Sequence, residues 1–268
     1  MLRIDHLTKM YGDFAAVSDL SLHIQPGEIY GFIGHNGAGK TTTLKCVAGI
    51  SGFNSGNITI GGFNIRENPM DAKKIIAYIP DNPDIYDYMS AIQYLNFIAD
   101  IYGVLQADRK ARITRYAEMF ELTDKLAQPV SAYSHGMKQK LAVMGALVHD
   151  PKLILMDEPF VGLDPTAAFL LKQTMREICG KGGAIFFSTH VLEVAEKLCD
   201  RIAIIKRGKL VRSGTMDEVR GDESLEEVFL ELQNDGFDHK QDDPSLNVEI
   251  PAFKNAPKEK RSRRRENR

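Results

Sequence analysis

The glycine-rich segment Gly34–Thr41 carries the strongest chemical signal in this sequence. It reads GHNGAGKT and matches every fixed position of the pattern G-x-x-x-x-G-K-[ST]. Glycines let the backbone wrap closely around phosphate oxygens, and the N–H groups of a following helix supply positive potential to an anion. Lys40 would place a point charge against the outer phosphates, and the Thr41 hydroxyl would bind Mg²⁺. The segment predicts a site for a phosphorylated ligand and magnesium, although several classes of enzyme share such a loop.

Two carboxylates follow a second apolar run, Leu153–Met156. Asp157 and Glu158 stand at the C-terminal end of this predicted strand, where α/β sheets present side chains to their ligands. Asp157 would hold Mg²⁺ through water, and Glu158 would polarise the attacking water as a general base. The alternative is a strand that merely ends in acidic residues at the surface. Pro159 and Gly162-Leu163-Asp164, which follow directly, argue against that alternative.

Strands and helices alternate around these segments. A strand at Glu28–Ile33 precedes the glycine-rich loop, and a helix at Thr41–Ala48 follows it. Further strands are predicted at 75–79, 153–156, 184–187 and 202–206, with helices at 165–178, 191–198 and 225–232. The alternation predicts an α/β fold with a largely parallel sheet.

Two regions depart from this alternation. Strands at Leu2–Leu7 and Ala16–Ile24, together with a hairpin at 57–65 that turns at Gly61-Gly62, predict a small antiparallel layer. Residues from about 85 to 150 have helical spacing, with Ser90 as the N-cap, and predict an all-helical insertion.

The composition is that of an average globular protein. The chain has 268 residues, 43% of them hydrophobic, and a net charge of −2. No apolar run approaches the roughly 18 residues that span a bilayer. Three isolated cysteines predict buried thiols in a reducing compartment. Residues 254–268 hold eight Lys or Arg and two Asp or Glu, and we predict that 233–268 is a charged, disordered tail behind a domain at 1–232.

The segment Tyr133–Gln139, YSHGMKQ, resembles the LSGGQ signature of the ATP-binding subunits of ABC transporters. Ser134 lies 23 positions before Asp157, as the family pattern requires. The resemblance covers about residues 1–232. It implies a P-loop NTPase with a RecA-like parallel-sheet core, an N-terminal antiparallel β layer and an α-helical subdomain at about 85–150. It also implies that the phosphorylated ligand is ATP, bound with Mg²⁺.

The same resemblance implies roles for single residues. Ser134 and the N–H groups of Gly136 and Met137 would contact the γ-phosphate bound to an opposite subunit. Asp164 would belong to the D-loop at the dimer interface, and His190 would be the switch histidine that contacts the γ-phosphate and aligns water. Tyr11 would stack on adenine. The expected nucleotide-binding set is Tyr11, Gly34, His35, Asn36, Gly37, Ala38, Gly39, Lys40, Thr41, Thr42, Ser134, Gly136, Met137 and Asp164.

The expected catalytic residues are Lys40, Asp81, Glu158 and His190, and the expected metal ligands are Thr41, Asp81 and Asp157. Plainer roles stay open for two other residues, because Ser134 could simply cap a helix and Tyr11 could close a strand. A zinc site at His190 and Glu193 is rejected, since no partner ligands appear near them in the sequence.

Two positions depart from the family pattern. Asp81 stands where the family usually has Gln; it can accept a hydrogen bond from magnesium-bound water but cannot donate one through an amide. His135 stands where LSGGQ has Gly. Both departures, and the ending Ser224–Leu230, resemble export-type bacterial subunits whose permease is encoded separately.

The expected function is therefore an ATPase that powers transport, with export as the expected direction, as a homodimer or a heterodimer on the cytoplasmic face of the membrane. Its partner would be an integral-membrane permease docked near Tyr86, Tyr88 and Met89, unless these residues only pack the helical insertion. The basic tail could contact anionic lipid weakly or could simply be solvated, and no specific nucleic acid is expected. The alternatives are a non-transport ABC ATPase that acts on translation or DNA, and a small-molecule kinase.

Overall fold

The structure is a computed structural model that describes residues 1–83 and 85–234. It contains two β-sheets and the helices that cover them. The elements in chain order are β1 (Leu2–Tyr11), β2 (Phe14–Ile24), β3 (Ile29–Ile33), α1 (Lys40–Val47), β4 (Ser55–Ile60), β5 (Phe63–Asn64), α2 (Pro69–Lys74), β6 (Ile76–Ile79), α3 (Ala91–Ile101), α4 (Gln106–Met119), α5 (His135–Leu147), β7 (Leu153–Asp157), α6 (Pro165–Gly180), β8 (Ala184–Thr189), α7 (Leu192–Leu198), β9 (Arg201–Lys206), β10 (Lys209–Thr215), α8 (Met216–Arg220) and α9 (Leu225–Asn234).

The larger sheet has the strand order β10-β9-β3-β8-β7-β6, and all of its neighbouring pairs are parallel except β10 with β9. Its strands other than β10 are buried on both faces along most of their length, as expected where helices or another sheet cover each side. In β3, Ile29 and Ile33 join the core on the side of α3, α5 and α6, whereas Tyr30 and Phe32 join the core with α1 and the antiparallel sheet. These layers confirm the predicted α/β fold.

The smaller sheet is antiparallel, with the order β2-β1-β4-β5. Its inner face packs over α1, so the helix behind the phosphate loop is buried between the two sheets. The predicted antiparallel layer and the hairpin at Gly61-Gly62 are both present.

The chain between β6 and β7 folds into α3, α4 and α5 with two short 3-10 turns at Thr123–Lys125 and Val130–Ala132. Ser90 caps α3 as expected. Its Oγ accepts from Gln93 N at 3.3 Å, and its own N–H donates to Gln93 Oε1 at 2.8 Å. These helices join the same apolar core as one face of the parallel sheet.

The sequence patterns missed three elements, α2, β10 and α8. Strand β10 has only one buried residue, so alternation is weak, but Arg207 and Gly208 both have positive φ and form the tight turn that joins it to β9. Strand β8 runs to Thr189, two residues beyond its predicted end, so only His190 of Ser188–His190 follows the strand. Of the predicted tail, Gln233 and Asn234 end α9, and the rest lies outside the described residues.

Candidate functional site

The phosphate loop links the end of β3 at Ile33 to the start of α1 at Lys40. Gly37 and Gly39 have φ values of 79° and 108°, in the left-handed region that glycine adopts without strain. A Cβ on Gly39 would lie 2.5 Å from the carbonyl oxygen of Ala16. The loop is therefore packed against the N-terminal sheet so closely that glycine is required at this position.

Lys40 is almost completely buried, with 6% of its side chain exposed. Its Nζ donates to Gly34 O at 2.6 Å and to His35 O at 3.3 Å. One carboxylate oxygen, Glu158 Oε1, lies 3.6 Å away. The ammonium group is thus held over the loop by neutral carbonyls and a single acidic group, in a position to attract a phosphate.

Asp157 stands at the end of β7, directly beside Ser188 on β8. Ser188 Oγ donates to Asp157 Oδ1, whereas Asp157 Oδ2 is buried with no hydrogen-bond partner among the described residues. A buried carboxylate oxygen without a partner is costly, and a hard cation is a natural ligand for it. Thr41 and Asp81 line the same pocket. The oxygen donors of these three residues fit Mg²⁺.

Glu158 has a φ of 48°, an uncommon conformation for a residue with a side chain. Its backbone N–H donates to the carbonyl and to the hydroxyl of Ser188, both at 3.2 Å, and this turns the chain sharply after β7. The turn brings Glu158 Oε1 to 2.9 Å from His190 Nδ1. Glu158 thus contacts both His190 and Lys40, and its carboxylate can accept a proton from water at this point.

These groups surround one open pocket of about 400 Å³. Most of the residues predicted from the loop, the acidic strand end and Asp81 are found together there. The lining residues are Tyr11, Phe14, Ala16, His35, Asn36, Gly37, Gly39, Lys40, Thr41, Thr42, Asp81, Asp157 and Glu158. Phe14 and Ala16 were not predicted. Gly34 and Ala38 belong to the loop without lining the pocket, and His190 reaches the site through Glu158.

Two exposed aromatic rings stand at the wall of this pocket. Tyr11 and Phe14 pair across the turn between β1 and β2, and they are 52% and 65% exposed. Lys9 Nζ lies 4.7 Å from the centre of the Tyr11 ring. A flat aromatic base can stack on such surfaces. The sequence predicted only Tyr11 for stacking on the base. The position of Phe14, an aromatic residue just beyond the turn at Gly12, was a signal that could have identified it.

The remaining predicted ligands lie elsewhere. Ser134, Gly136, Met137 and Asp164 do not line the pocket of the same chain. Ser134 caps α5 by accepting from Met137 N at 3.3 Å, and Asp164 caps α6 by accepting from Ala167 N at 2.8 Å. The capping role that the sequence left open for Ser134 is therefore present, and Asp164 has a similar one.

Comparison with known proteins identifies the family. A family model described as ABC transporter matches residues 17–161, more than half of the chain. The chain belongs to the ABC transporter family. The Linearmycin resistance ATP-binding protein LnrL of Bacillus subtilis is 34% identical over 219 residues, which cover 82% of this chain and 70% of LnrL.

A second relative and a solved structure agree. The ABC-type transporter ATP-binding protein EcsA of Bacillus subtilis is 32% identical over 245 residues, or 90% of this chain and 99% of EcsA. The structure of an ATP binding subunit of an ABC transporter superposes with a TM-score of 0.84 at 34% identity, covering 87% of this chain and 99% of that one. The fold is that of the family's ATP-binding domain, a P-loop NTPase.

The segment Tyr133–Gln139 packs against Gly162–Asp164 in this ABC protein. A Cβ on Gly162, whose φ is 80°, would lie 2.8 Å from Cδ2 of His135, and a Cβ on Gly136 would lie 2.9 Å from Gly162 O. Lys140 Nζ forms an ion pair with Asp164 Oδ2 at 2.7 Å, and this hydrogen bond holds the pKa of Asp164 below its usual value. The two segments therefore form one surface.

A smaller cavity lies between β6 and the helices α3 and α5 of the ABC domain. The Tyr102 and His149 rings stack beside it, with centroids 3.6 Å apart and planes 12° from parallel. His149 Nε2 lies 3.1 Å from Ile76 O. Burial lowers the pKa of His149 to about 4, so its ring is neutral near pH 7.

Proposed function

We propose that this chain is the ATP-hydrolysing motor subunit of an ABC transporter, acting as a pair of ATP-binding subunits on a separate membrane permease. One observation carries the proposal. The pocket contains the phosphate loop and both carboxylates, whereas Ser134, Gly136 and Met137 lie outside it. A head-to-tail pair would complete each pocket with the signature segment of the other subunit.

The residues of the pocket have distinct tasks in this proposal. Lys40 and the N–H groups of the loop bind the phosphates, and Tyr11 with Phe14 holds the base. Thr41, Asp157 and Asp81 would hold Mg²⁺, directly or through water. When bound, Mg²⁺ would neutralise charge on the phosphate oxygens.

Hydrolysis in this site would depend on Glu158 and His190. Glu158 accepts the proton of the attacking water as general base. His190 donates through Nδ1 to Glu158 at 2.9 Å and thereby orients the carboxylate. Lys40 and the opposite signature N–H groups stabilise the charge of the transferring phosphoryl group.

ATP would close the pair because only ATP carries the γ-phosphate that touches both subunits. A ligand shifts an equilibrium only by its differential affinity for the two states. Hydrolysis removes those contacts, and the pair opens.

Coupling to a membrane partner is supported by what the similar proteins are called. EcsA is named as the ATP-binding protein of a transporter, and the solved structure that superposes at a TM-score of 0.84 is an ATP binding subunit of an ABC transporter. LnrL is named as a resistance protein, which supports export as the direction of transport.

An exposed aromatic cluster is the proposed docking surface for the permease. The Tyr86 ring lies 5.8 Å from that of Tyr88 and 5.9 Å from that of Phe97, and Tyr88 is 80% exposed. Met89, also predicted here, is only partly exposed. Exposed aromatic rings of this kind are typical anchors of protein interfaces. Within the described residues, no helix has both the length and the apolarity to cross a bilayer.

The experiment is co-purification with the permease encoded beside this chain, followed by ATPase assays in vesicles. We expect permease binding by the wild type and its loss after alanine substitution of Tyr86, Tyr88 and Met89. Met70→Ala, at a position that is 67% exposed on α2, is the matched control. Unchanged permease binding by the triple variant contradicts the docking surface. Absence of ATP hydrolysis by the complex in vesicles contradicts the motor function.

The basic residues 254–268 would add weak contact with anionic lipid, about 1 kcal/mol for each charge at the surface. Deletion of this segment should lower sedimentation with anionic vesicles, and equal sedimentation rejects the contact. No observation in the described residues favours a role in translation or DNA maintenance.

A further inference from the structure

The phosphate loop has a neighbour from the far end of the described chain. The ring of His35, the second residue of the loop, lies with its centroid 5.0 Å from that of Phe229, and the two planes are inclined by 55°. Phe229 belongs to α9 and is 7% exposed. It does not line the nucleotide pocket, and no step of the proposed hydrolysis uses it.

Helix α9 is fixed to the body of the domain at both ends. At its start, Leu225 is fully buried, and its N–H donates to Glu196 Oε1 of α7 at 3.0 Å. Near its end, Leu232 O accepts from Lys206 Nζ, at the end of β9, at 2.8 Å. A helix held in this way presents the Phe229 ring to the loop from a rigid support.

His35 connects this contact to the groups that bind phosphate. Its carbonyl oxygen accepts from Ala38 N at 3.1 Å and from Lys40 Nζ at 3.3 Å. Its side chain is exposed and lines the pocket. Any restriction on His35 therefore also restricts the turn of the loop and the position of the lysine.

We propose that Phe229 is a positioning residue for nucleotide binding, acting through His35 to hold the phosphate loop in its receptive conformation. A glycine-rich loop loses conformational freedom when it binds a ligand, and prior ordering reduces that loss. Packing between two aromatic rings contributes beyond simple burial, by an amount that corresponds to about a threefold to tenfold change in affinity. The proposal rests on the proposed function of this pocket as an ATP site.

The test measures the dissociation constants of ATP and ADP, with Mg²⁺, for the full chain, four single variants and the double variant Phe229→Leu/His35→Ala. Phe229→Leu keeps apolar volume in α9 but removes the ring, and His35→Ala removes the other ring without emptying the core. Phe229→Tyr keeps the ring and serves as the rescue. Val228→Ala is the matched control, because Val228 is 1% exposed on the same helix, so truncation there loosens α9 without deleting a ring.

We expect Phe229→Leu and His35→Ala each to weaken binding at least threefold, and the double variant to bind no more weakly than the weaker single variant. Phe229→Tyr and Val228→Ala should bind within twofold of the wild type, although Val228→Ala unfolds at a lower temperature. In ATPase assays, Phe229→Leu should raise KM and leave kcat unchanged.

The proposal is overturned if Phe229→Leu binds nucleotide within twofold of the wild type, or if Val228→Ala weakens nucleotide binding as much as Phe229→Leu does. It is also overturned if the losses of binding free energy of the two single variants add fully in the double variant. A wild-type chain that binds neither nucleotide refutes the proposed function instead, so the two failures are distinguishable.

Discussion

Substitution of Glu158 by glutamine separates catalysis from binding at the pocket. The amide has nearly the shape of the carboxylate, and its oxygen can still accept a hydrogen bond from His190, whose Nδ1 lies 2.9 Å from Glu158 Oε1. It cannot take up a proton from water. ATP should still bind, because the loop and Lys40 are unchanged.

The expected magnitude follows from the two contacts of Glu158. Loss of a general base lowers a rate by about 10²- to 10⁴-fold, which corresponds to about 3 to 5 kcal/mol in the activation barrier. Loss of the carboxylate 3.6 Å from Lys40 Nζ removes negative charge from the phosphate site. Since that charge repels phosphate, the affinity for ATP should be equal to or higher than that of the wild type.

The assay compares phosphate release in a single turnover with ATP affinity from direct titration. Glu193→Gln is the matched control, because Glu193 lies just beyond His190 on α7, is 72% exposed and pairs with Lys197. It should leave both quantities unchanged. Hydrolysis by the Glu158 variant within tenfold of the wild type, or a large loss of ATP affinity, would refute the role assigned to this residue.

The remaining predictions concern binding and stability. Lys40→Ala should weaken ATP binding by about 10- to 100-fold through loss of a charge-assisted hydrogen bond, whereas Lys74→Ala, at an exposed site, should not; equal affinities in a titration contradict the role of Lys40. Lys140→Ala should lower the free energy of unfolding by about 0.5 kcal/mol, because its ion-pair partner Asp164 is half-exposed. Asp164→Ala should lower it by about 1 kcal/mol more, because the helix cap of α6 is lost as well. Urea titrations that rank the two variants in the opposite order contradict this prediction. Because the folded pKa of His149 is about 4 and its ordinary value is 6.5, the unfolded chain binds the proton first as pH falls. His149 therefore contributes about 3 kcal/mol to the free energy of unfolding above pH 6.5, and this contribution is lost as pH falls to 4. The free energy of unfolding of His149→Phe should lack this pH-dependent loss. Identical pH dependence of unfolding in the two proteins would contradict the prediction.

The phosphate loop and the acidic strand end could be predicted because the residues that carry their chemistry are contiguous in the sequence. Gly34–Thr41 follows β3, and Asp157-Glu158 lies at the end of β7. Because β3, β8 and β7 run parallel, their C-terminal ends meet at one edge of the sheet. The positive φ of Glu158 had no such local signal, since it arises from hydrogen bonds to Ser188 on the next strand.

Contacts between distant segments escaped sequence reasoning. Phe14 becomes a wall of the pocket only through its pairing with Tyr11 across β1 and β2. Phe229 reads as an ordinary core residue of an amphipathic helix, and its contact with His35 depends on how α9 packs against the domain. The ion pair between Lys140 and Asp164 likewise requires the relative placement of α5 and α6.

The central claim is that each chain holds only part of a catalytic pocket, so that ATP must join two ATP-binding subunits. The most direct test is the mass in solution of the Glu158→Gln variant, measured by light scattering with ATP and Mg²⁺ and again with ADP. As a homodimer, it should change from the 29.9 kDa of one chain to about twice that mass with ATP, and return with ADP. A wild-type chain that stays monomeric with ATP bound and hydrolyses it at a constant rate per chain at every dilution would contradict the claim.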